Sequence, residues 1–362
     1  MELSFYQAEC GDAARIQFLG NDGLFHHIMI DSGYERTFRY VLLEEIKAIF
    51  NKGERVDLWV ISHLHDDHIG GVLKYIESIE SGEVVDIVDN WFYNPPRNYL
   101  DSVYKKNANT ISYSKSIRQG DRMFDYIREK STLICLDISD ELEEQDFFGM
   151  KIKILSPSND KMRNLRTKYN DNNLLAFERS EIVSISNATR SKNNDYLKKL
   201  DDFDLLNWIE DNSVENGSSI SMITELNGIK ILWLADSHPS VVVSSLKKMG
   251  YSSINKLKCH WVKVAHHGSL GNNSILLYSL IECENYLMSV NGENIHNLPT
   301  KESMAIILKN DNRDKSLKYF FYFTYDNKLL RSIFTVDGNE IFEKWNFEVS
   351  FLKNEKFLRI NY

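Results

Sequence analysis

From Val56 to Gly82 the sequence reads VDLWVISHLHDDHIGGVLKYIESIESG. An apolar, β-rich run gives way to three histidines and two aspartates within six positions, and two glycines then lead into helical spacing. Strand, polar loop and helix in that order place the cluster at the C-terminal edge of a strand, where α/β proteins carry their chemistry. Neutral imidazole nitrogen and carboxylate oxygen are ligands for divalent metals. His63 and His65, two apart on an extended loop, point the same way. Asp67 and His68 face a second point, so one loop can supply two ions. The opposed reading is a polar surface loop with Asp67 capping the helix. Without a cation, however, such a cluster repels itself as its histidines protonate, and the metal reading is preferred.

The rest of the chain fits a mixed α/β fold. ARIQFLG and LFHHIMID, joined by GNDG, read as a hairpin in which His26 and His27 alternate, so one ring is expected to face outward. FRYVLLEEIKAIFNKG has helical spacing, and YKKNANTISYSKSIRQGDRMFDYIREK is basic and mostly helical in pattern. MKIKILSPS is a strand. Residues 159–215 turn polar and charged and read as an insertion with some helix. SSISMITELNGIKILWLADS gives two strands about Asn227-Gly228. HPSVVVSSLKKMGY is a helix with Pro239 near its start, CHWVKVAHHGS a strand ending in a second histidine pair, and PTKESMAIILKN a further helix. The aromatic end, with Tyr319, Phe320, Phe321 and Tyr322, reads as sheet core in preference to a base-stacking surface.

Composition narrows the class. With 43% hydrophobic and 26% charged residues the chain is an ordinary globular protein. Four scattered cysteines without a CxxC pair argue against a zinc ribbon and fit a reducing compartment. No apolar run is long enough to span a bilayer and the start lacks a leader pattern, so a cytoplasmic location is expected. A net charge of -9 argues against a protein that only coats nucleic acid. It leaves a nuclease open, because metal ions and local basic clusters can hold phosphates. Such clusters are Lys105-Lys106, Arg118, Arg122, and Lys161, Arg163, Arg166 and Lys168.

HLHDDH resembles the HxHxDH motif of the metallo-β-lactamase-fold hydrolases. AECGDAARIQF, IDSG, ILWLADS, VKVAHHGS and SVNGENIHNLPT resemble, in order and spacing, motifs of the ComEC-like branch, whose members are DNA-uptake channels with a soluble domain of this kind. The resemblance covers Glu2 to Leu308. It implies a four-layer αβ/βα sandwich over residues 1–308, with the insertion at 159–215, followed by a strand-rich extension at 309–362. It also implies a site of two divalent ions, Zn²⁺ or Mn²⁺ with Mg²⁺ also compatible. His63 and His65 would bind the first ion, Asp67 and His68 the second, and Asp236 would bridge them. His266 is the better match for the last ligand of the second ion, with His267 the runner-up.

One departure stands out: no histidine lies between Ile69 and Ala235, where the fold has its third ligand to the first ion. ENGSS offers Asn216 and Ser218 instead, and the first ion is expected to bind weakly. The implied activity is hydrolysis of a phosphodiester, in nucleic acid or a nucleotide, by a metal-activated hydroxide. Asp67 or Asp236 would orient the water. His296 would bind phosphate or protonate the leaving group, the alternative being a loop residue capping the helix after Pro299. His238 either faces the same pocket or, the preferred reading, belongs to the N-cap region of its helix. Two rival functions remain: hydrolysis of an ester, lactone, thioester or β-lactam, and a binding or sensing subunit whose insertion and C-terminal extension contact a protein partner.

Overall fold

A computed structural model describes residues 1–97, 115–130, 137–170, 195–353 and 355–362. Lys105, Lys106 and the middle of the insertion lie outside the described residues. The first half of the chain forms β1 (Glu2–Tyr6), β2 (Ala14–Leu19), β3 (Phe25–Ile30), β4 (Leu58–Val60) and β5 (Trp91–Phe92). The second half forms β6 (Gln145–Phe147), β7 (Met150–Ser156), β8 (Ser221–Leu226), β9 (Ile229–Trp233), β10 (Leu257–Lys258), β11 (Trp261–Lys263), β12 (Ile281–Glu282) and β13 (Asn285–Met288). The last three strands are β14 (Tyr319–Phe323), β15 (Phe347–Phe351) and β16 (Phe357–Asn361). A six-stranded sheet has the order β16-β1-β2-β3-β4-β5, and an eight-stranded sheet the order β15-β14-β13-β11-β9-β8-β7-β6.

Strand parity sorts the side chains into three apolar layers. Leu3, Phe5, Ile28, Leu58 and Val60 of the first sheet meet Ile152, Met222, Trp233, Trp261 and Leu287 of the second. The alternate residues Tyr6, Met29 and Trp59 face the helices Leu43–Asn51, Asp66–Glu80 and Lys115–Lys130. Leu232, Val262, Tyr286 and Phe321 face the helices Pro239–Lys248 and Lys301–Leu308. Helix, sheet, sheet, helix is the αβ/βα sandwich expected from the sequence, the architecture of the metallo-β-lactamase fold. Each large apolar side chain taken fully out of water contributes about 1.5–3 kcal/mol.

The aromatic tail is indeed core: Tyr319, Phe321 and Phe323 are buried on alternate positions of β14. The C-terminal segment is more helical than its composition suggests, with the short helices Lys328–Arg331 and Glu340–Lys344 between β14 and β15. It is also woven into both sheets, β14 and β15 extending the second and β16 pairing antiparallel with β1. The hairpin departs from expectation. Both His26 and His27 are buried, because Phe148 of the β6–β7 turn stacks on the His26 ring at 3.7 Å and Glu54 reaches His27 Nε2 at 2.7 Å. Among the described residues no helix is long and apolar enough to cross a membrane.

The strands that matter for function run parallel where they meet. β3 pairs with β4, and β11 with both β9 and β13, so their C-terminal ends open along one edge between the two sheets. Ile220 N–H donates to the Ser62 carbonyl at 2.9 Å across that edge and joins the sheets at the motif loop.

Candidate metal centre

The loop after β4 carries His63 and His65, and the helix Asp66–Glu80 begins directly behind them. His65 occupies the N-cap position, and Asp66 and Asp67 lie in the first turn, where the helix dipole favours negative charge. The glycines that trail the motif let this helix press on the end of β3. A Cβ on Gly71 would stand 2.2 Å from the Ser32 carbonyl oxygen. Ser32 N–H and Oγ–H both donate to the His68 carbonyl, and Gly71 N–H donates to Gly33. On the opposite side, Asp12 N–H donates to the Asp67 carbonyl at 3.1 Å, and a Cβ on Gly11 would be 2.4 Å from the same oxygen.

Asp236 follows β9 and is fully buried among these groups. Its two oxygens face different sets of rings. Oδ1 lies 3.4 Å from His68 Nε2 and 3.8 Å from His267 Nε2. Oδ2 lies 3.6 Å from His63 Nε2 and 3.5 Å from His266 Nε2. Asp67, His68, Asp236 and His267 offer ligand atoms within 4.8 Å of one another, and so do His63, His65 and Asp236.

The ordering of the second histidine pair is therefore the reverse of the sequence reading: His267, not His266, joins Asp67 and His68. The cause is the backbone of the turn after β11. His266 and His267 take φ of 44° and 52°, Gly268 follows at 85°, and the two rings splay to 75°. Gly268 has reason to be glycine, since its left-handed backbone disfavours any side chain.

Each ring is turned by its far nitrogen. His68 Nδ1–H donates to Asp31 Oδ2 at 2.8 Å, and Asp31 also accepts from Ser62 N–H and Oγ–H. His267 Nδ1–H donates to the Ser289 carbonyl at 3.0 Å. His266 Nδ1–H donates to Asn272 Oδ1 at 2.7 Å, and Asn272 Nδ2–H donates to Asp211 and to the Asp236 carbonyl. His63 Nδ1–H donates to Ser62 Oγ. In the neutral tautomer with its hydrogen on Nδ1, each of His68, His266 and His267 can offer Nε2 to a ligand, as metal-binding histidines do, while His63 Nε2 lies 3.1 Å from His65 Nδ1. His68 Nε2, His267 Nε2 and both oxygens of Asp236 are buried without a hydrogen-bond partner of proper geometry among the described residues. Buried polar atoms are nearly always satisfied, so the convergence of three of these orphans, His68 Nε2, His267 Nε2 and Asp236 Oδ1, fits a cation, with Oδ2 turned to the other pair of rings.

Electrostatics agree. Burial would raise the Asp236 and Asp67 carboxyls, but charge on the surrounding histidines outweighs it and holds both below the usual carboxylate range. Burial would lower His267, yet Asp12 and Asp236 outweigh it and raise the ring to about 9. His68 is likewise raised, by Asp236 and Asp31 against burial. His63 goes the other way: burial and then the charge on His68 depress it, keeping it neutral. The carboxylate cluster demands positive charge, which imidazolium supplies in the chain alone and divalent ions would supply better.

The remaining sequence candidates fall around this core. Asn216 Nδ2–H donates to Asp211 at 2.6 Å and sits 3.5 Å from His266 Nδ1, while its buried Oδ1 has no hydrogen-bond partner among the described residues. Ser218 Oγ–H donates to the Glu215 carbonyl at 2.6 Å, inside the turn Val214–Gly217. His238 is at the N-cap position of Pro239–Lys248, as favoured, but its side chain does no capping; it is buried and accepts from Lys161 Nζ at 2.7 Å. His296 is exposed on the loop before Pro299, and burial of part of the ring, then His266, push its pKa down. Asp67 acts on it in the opposite sense, and the charges of the cluster thus reach His296. The sequence reading missed Asp12, Asp31 and Lys263 as site residues. Lys263 shares its inward parity with Trp261, and a lysine at that position of a buried strand is a signal.

Fold and side chains together define an α/β sandwich with His/Asp clusters able to hold metal ions at its inter-sheet edge. Over residues 22–143 the chain matches the family model of the metallo-beta-lactamase superfamily, whose members are mostly metal-dependent hydrolases. No curated protein matches the chain. Among solved structures, a CmlA beta-hydroxylase mutant is similar at 12% identity and a TM-score of 0.38, covering 100% of this chain and 54% of that one. A long form RNase Z from yeast is similar at 10% identity and a TM-score of 0.34, covering 99% of this chain and 50% of that one. The chain spans about half the length of either.

Proposed function

We propose that this protein is a metal-dependent hydrolase of phosphodiesters, working with two divalent ions on either side of Asp236. The observation that carries the two-ion reading is the division of the Asp236 carboxylate, with Oδ2 toward His63 and His266 and Oδ1 toward His68 and His267. His63, His65 and His266 would hold the first ion, and Asp67, His68 and His267 the second. His266 thereby takes the place of the histidine missing between Ile69 and Ala235, with Asn216 beside it. When bound, the ions supply Lewis acidity and lower the pKa of water near neutral pH. The chain's own share is orientation: Asp31, Ser289 and Asn272 fix the rings, and Asp67 would accept a proton. His296, on the exposed loop before Pro299, would meet the phosphate or the leaving group.

The choice of phosphodiester, in nucleic acid or a nucleotide, rests on the resemblance of AECGDAARIQF, VKVAHHGS and SVNGENIHNLPT to the ComEC-like branch. The test is turnover by protein loaded in turn with Zn²⁺, Mn²⁺ and Mg²⁺. The substrates are a chromogenic phosphodiester, single- and double-stranded DNA, RNA, a lactone and a cephalosporin. Cleavage of a phosphodiester that is lost in Asp67→Ala is expected. Turnover of the lactone or cephalosporin alone would overturn the substrate class. No turnover by protein that holds two metals would overturn the enzyme reading.

A further inference from the structure

Lys263 is an anomaly of the sandwich. Strand parity points Trp261 and Lys263 into the layer between the sheets, where Phe5, Ile30, Trp233 and Leu287 pack. The lysine is 4% exposed, and its ammonium forms an ion pair with Asp12, itself 6% exposed, from the loop after β1. A charge in such a layer persists only when paired, and structural stability gives little reason to keep it there. The pair lies on the wall of a cavity of about 20 Å³, room for about one water.

Asp12 connects this pair to the metal cluster. Oδ2 meets Lys263, and Oδ1 lies 3.3 Å from His267 Nδ1, beside the Ser289 carbonyl that accepts from the same N–H. Oδ2 is also 4.0 Å from His68 Nδ1. The Asp12 backbone is fixed independently, its N–H on Asp67 and its carbonyl on Gly33. Ser289 Oγ–H donates to the Gly11 carbonyl at 2.6 Å, so the Ser289 carbonyl that accepts the His267 proton and the Asp12 carboxylate beside that ring belong to one hydrogen-bonded unit. Asp12, Asp31 and His68 also present ligand atoms within 4.8 Å of one another, and the Lys263 ammonium is the cation that faces that group.

We infer that Asp12 and Lys263 are positioning residues for the second ion: the Asp12 carboxylate stands against the Nδ1 side of the His267 ring and orients it, and Lys263 holds Asp12 in place. This rests on the two-ion reading above. Carboxylates behind metal-binding histidines typically change metal affinity 10–100-fold. Lysine here serves as a fixed internal counter-ion that cannot exchange with solvent metal.

The test is calorimetric Zn²⁺ titration of wild type, Asp12→Ala, Lys263→Met and the double variant, with Co²⁺ absorption spectra and urea unfolding on the same samples. Each single variant should weaken the second ion about 10–100-fold, shift its Co²⁺ band and leave the first ion unchanged. The double variant, which buries no unpaired charge, should regain stability without regaining second-ion affinity. Recovery of both together would mean that the pair is only a structural contact, and wild-type affinity in the folded single variants would equally overturn the inference. Wild type that binds fewer than two ions would instead overturn the two-ion reading.

Discussion

Exchange of either histidine of the pair His266-His267 for alanine should cost one ion and spare the other. Each ion would have four protein ligands, three of its own and one oxygen of Asp236. Protein sites of this kind bind Zn²⁺ with about 10–16 kcal/mol, so one ligand in four is worth about 3 kcal/mol. That is a loss of about 150-fold in Kd. A crossed design tells the ions apart. In a His63→Ala background the tight ion is the second one. Adding His267→Ala should weaken it about 150-fold, and adding His266→Ala should leave it within a few-fold. In a His68→Ala background the outcome should invert. Equilibrium dialysis with elemental analysis reads both Kd and stoichiometry. The structural basis is the pair of distances from His266 Nε2 to Oδ2, 3.5 Å, and from His267 Nε2 to Oδ1, 3.8 Å. If both substitutions weaken the same ion in both backgrounds, the division of the Asp236 carboxylate is not how the ions are held.

Gly71→Ala should destabilise the protein by about 1–3 kcal/mol in urea unfolding, because its Cβ meets the Ser32 carbonyl oxygen at 2.2 Å and displaces the helix behind the motif. Lys301→Met should cost about 3–5 kcal/mol by leaving the buried Asp337 unpaired, and Asp337→Leu added to it should recover most of that loss in the same assay. His26 is raised in pKa: burial lowers it, but the hydrogen bonds to Asp57 and Asp22 outweigh that. Its contribution is therefore complete below the unfolded value of about 6.5 and disappears as pH rises through the folded value. The stability gap between wild type and His26→Gln should be wider at pH 5.5 than at pH 9, and a gap that widens on the alkaline side would contradict this.

Much of the centre was legible because its residues obey short-range rules. HLHDDH crowds ligand atoms into one loop and could be found by spacing, whereas Asp236 was pointed to by the resemblance of ILWLADS, at the end of a strand of plain period. The roles of His266 and His267 could not, since two adjacent rings diverge only through successive left-handed residues, which no periodicity announces. Asp12 and Lys263 come from different sheets, and their pairing exists only after the sheets stack. WVKV reads as one apolar run until the parity of Trp261 is applied to Lys263. His26 was expected to share its strand with a solvent-facing partner, but burial there is decided by Phe148, more than a hundred residues away. The short helices after β14 were masked by aromatic residues that pack equally well from helix or strand.

The pairing of β1 with β16 has a consequence for how the chain reaches its fold. Glu2 lies opposite Asn361, so one edge of the first sheet is completed by a strand far downstream in the sequence. Until then β1 presents an open row of backbone donors and acceptors, a template for any other extended chain. Closure across that sequence distance is also slow, because loop entropy must be overcome before the contact forms. The nascent protein therefore carries an adhesive edge until β16 has been made, and its yield on expression should depend on temperature and chaperone supply more than the stability of the finished sandwich suggests.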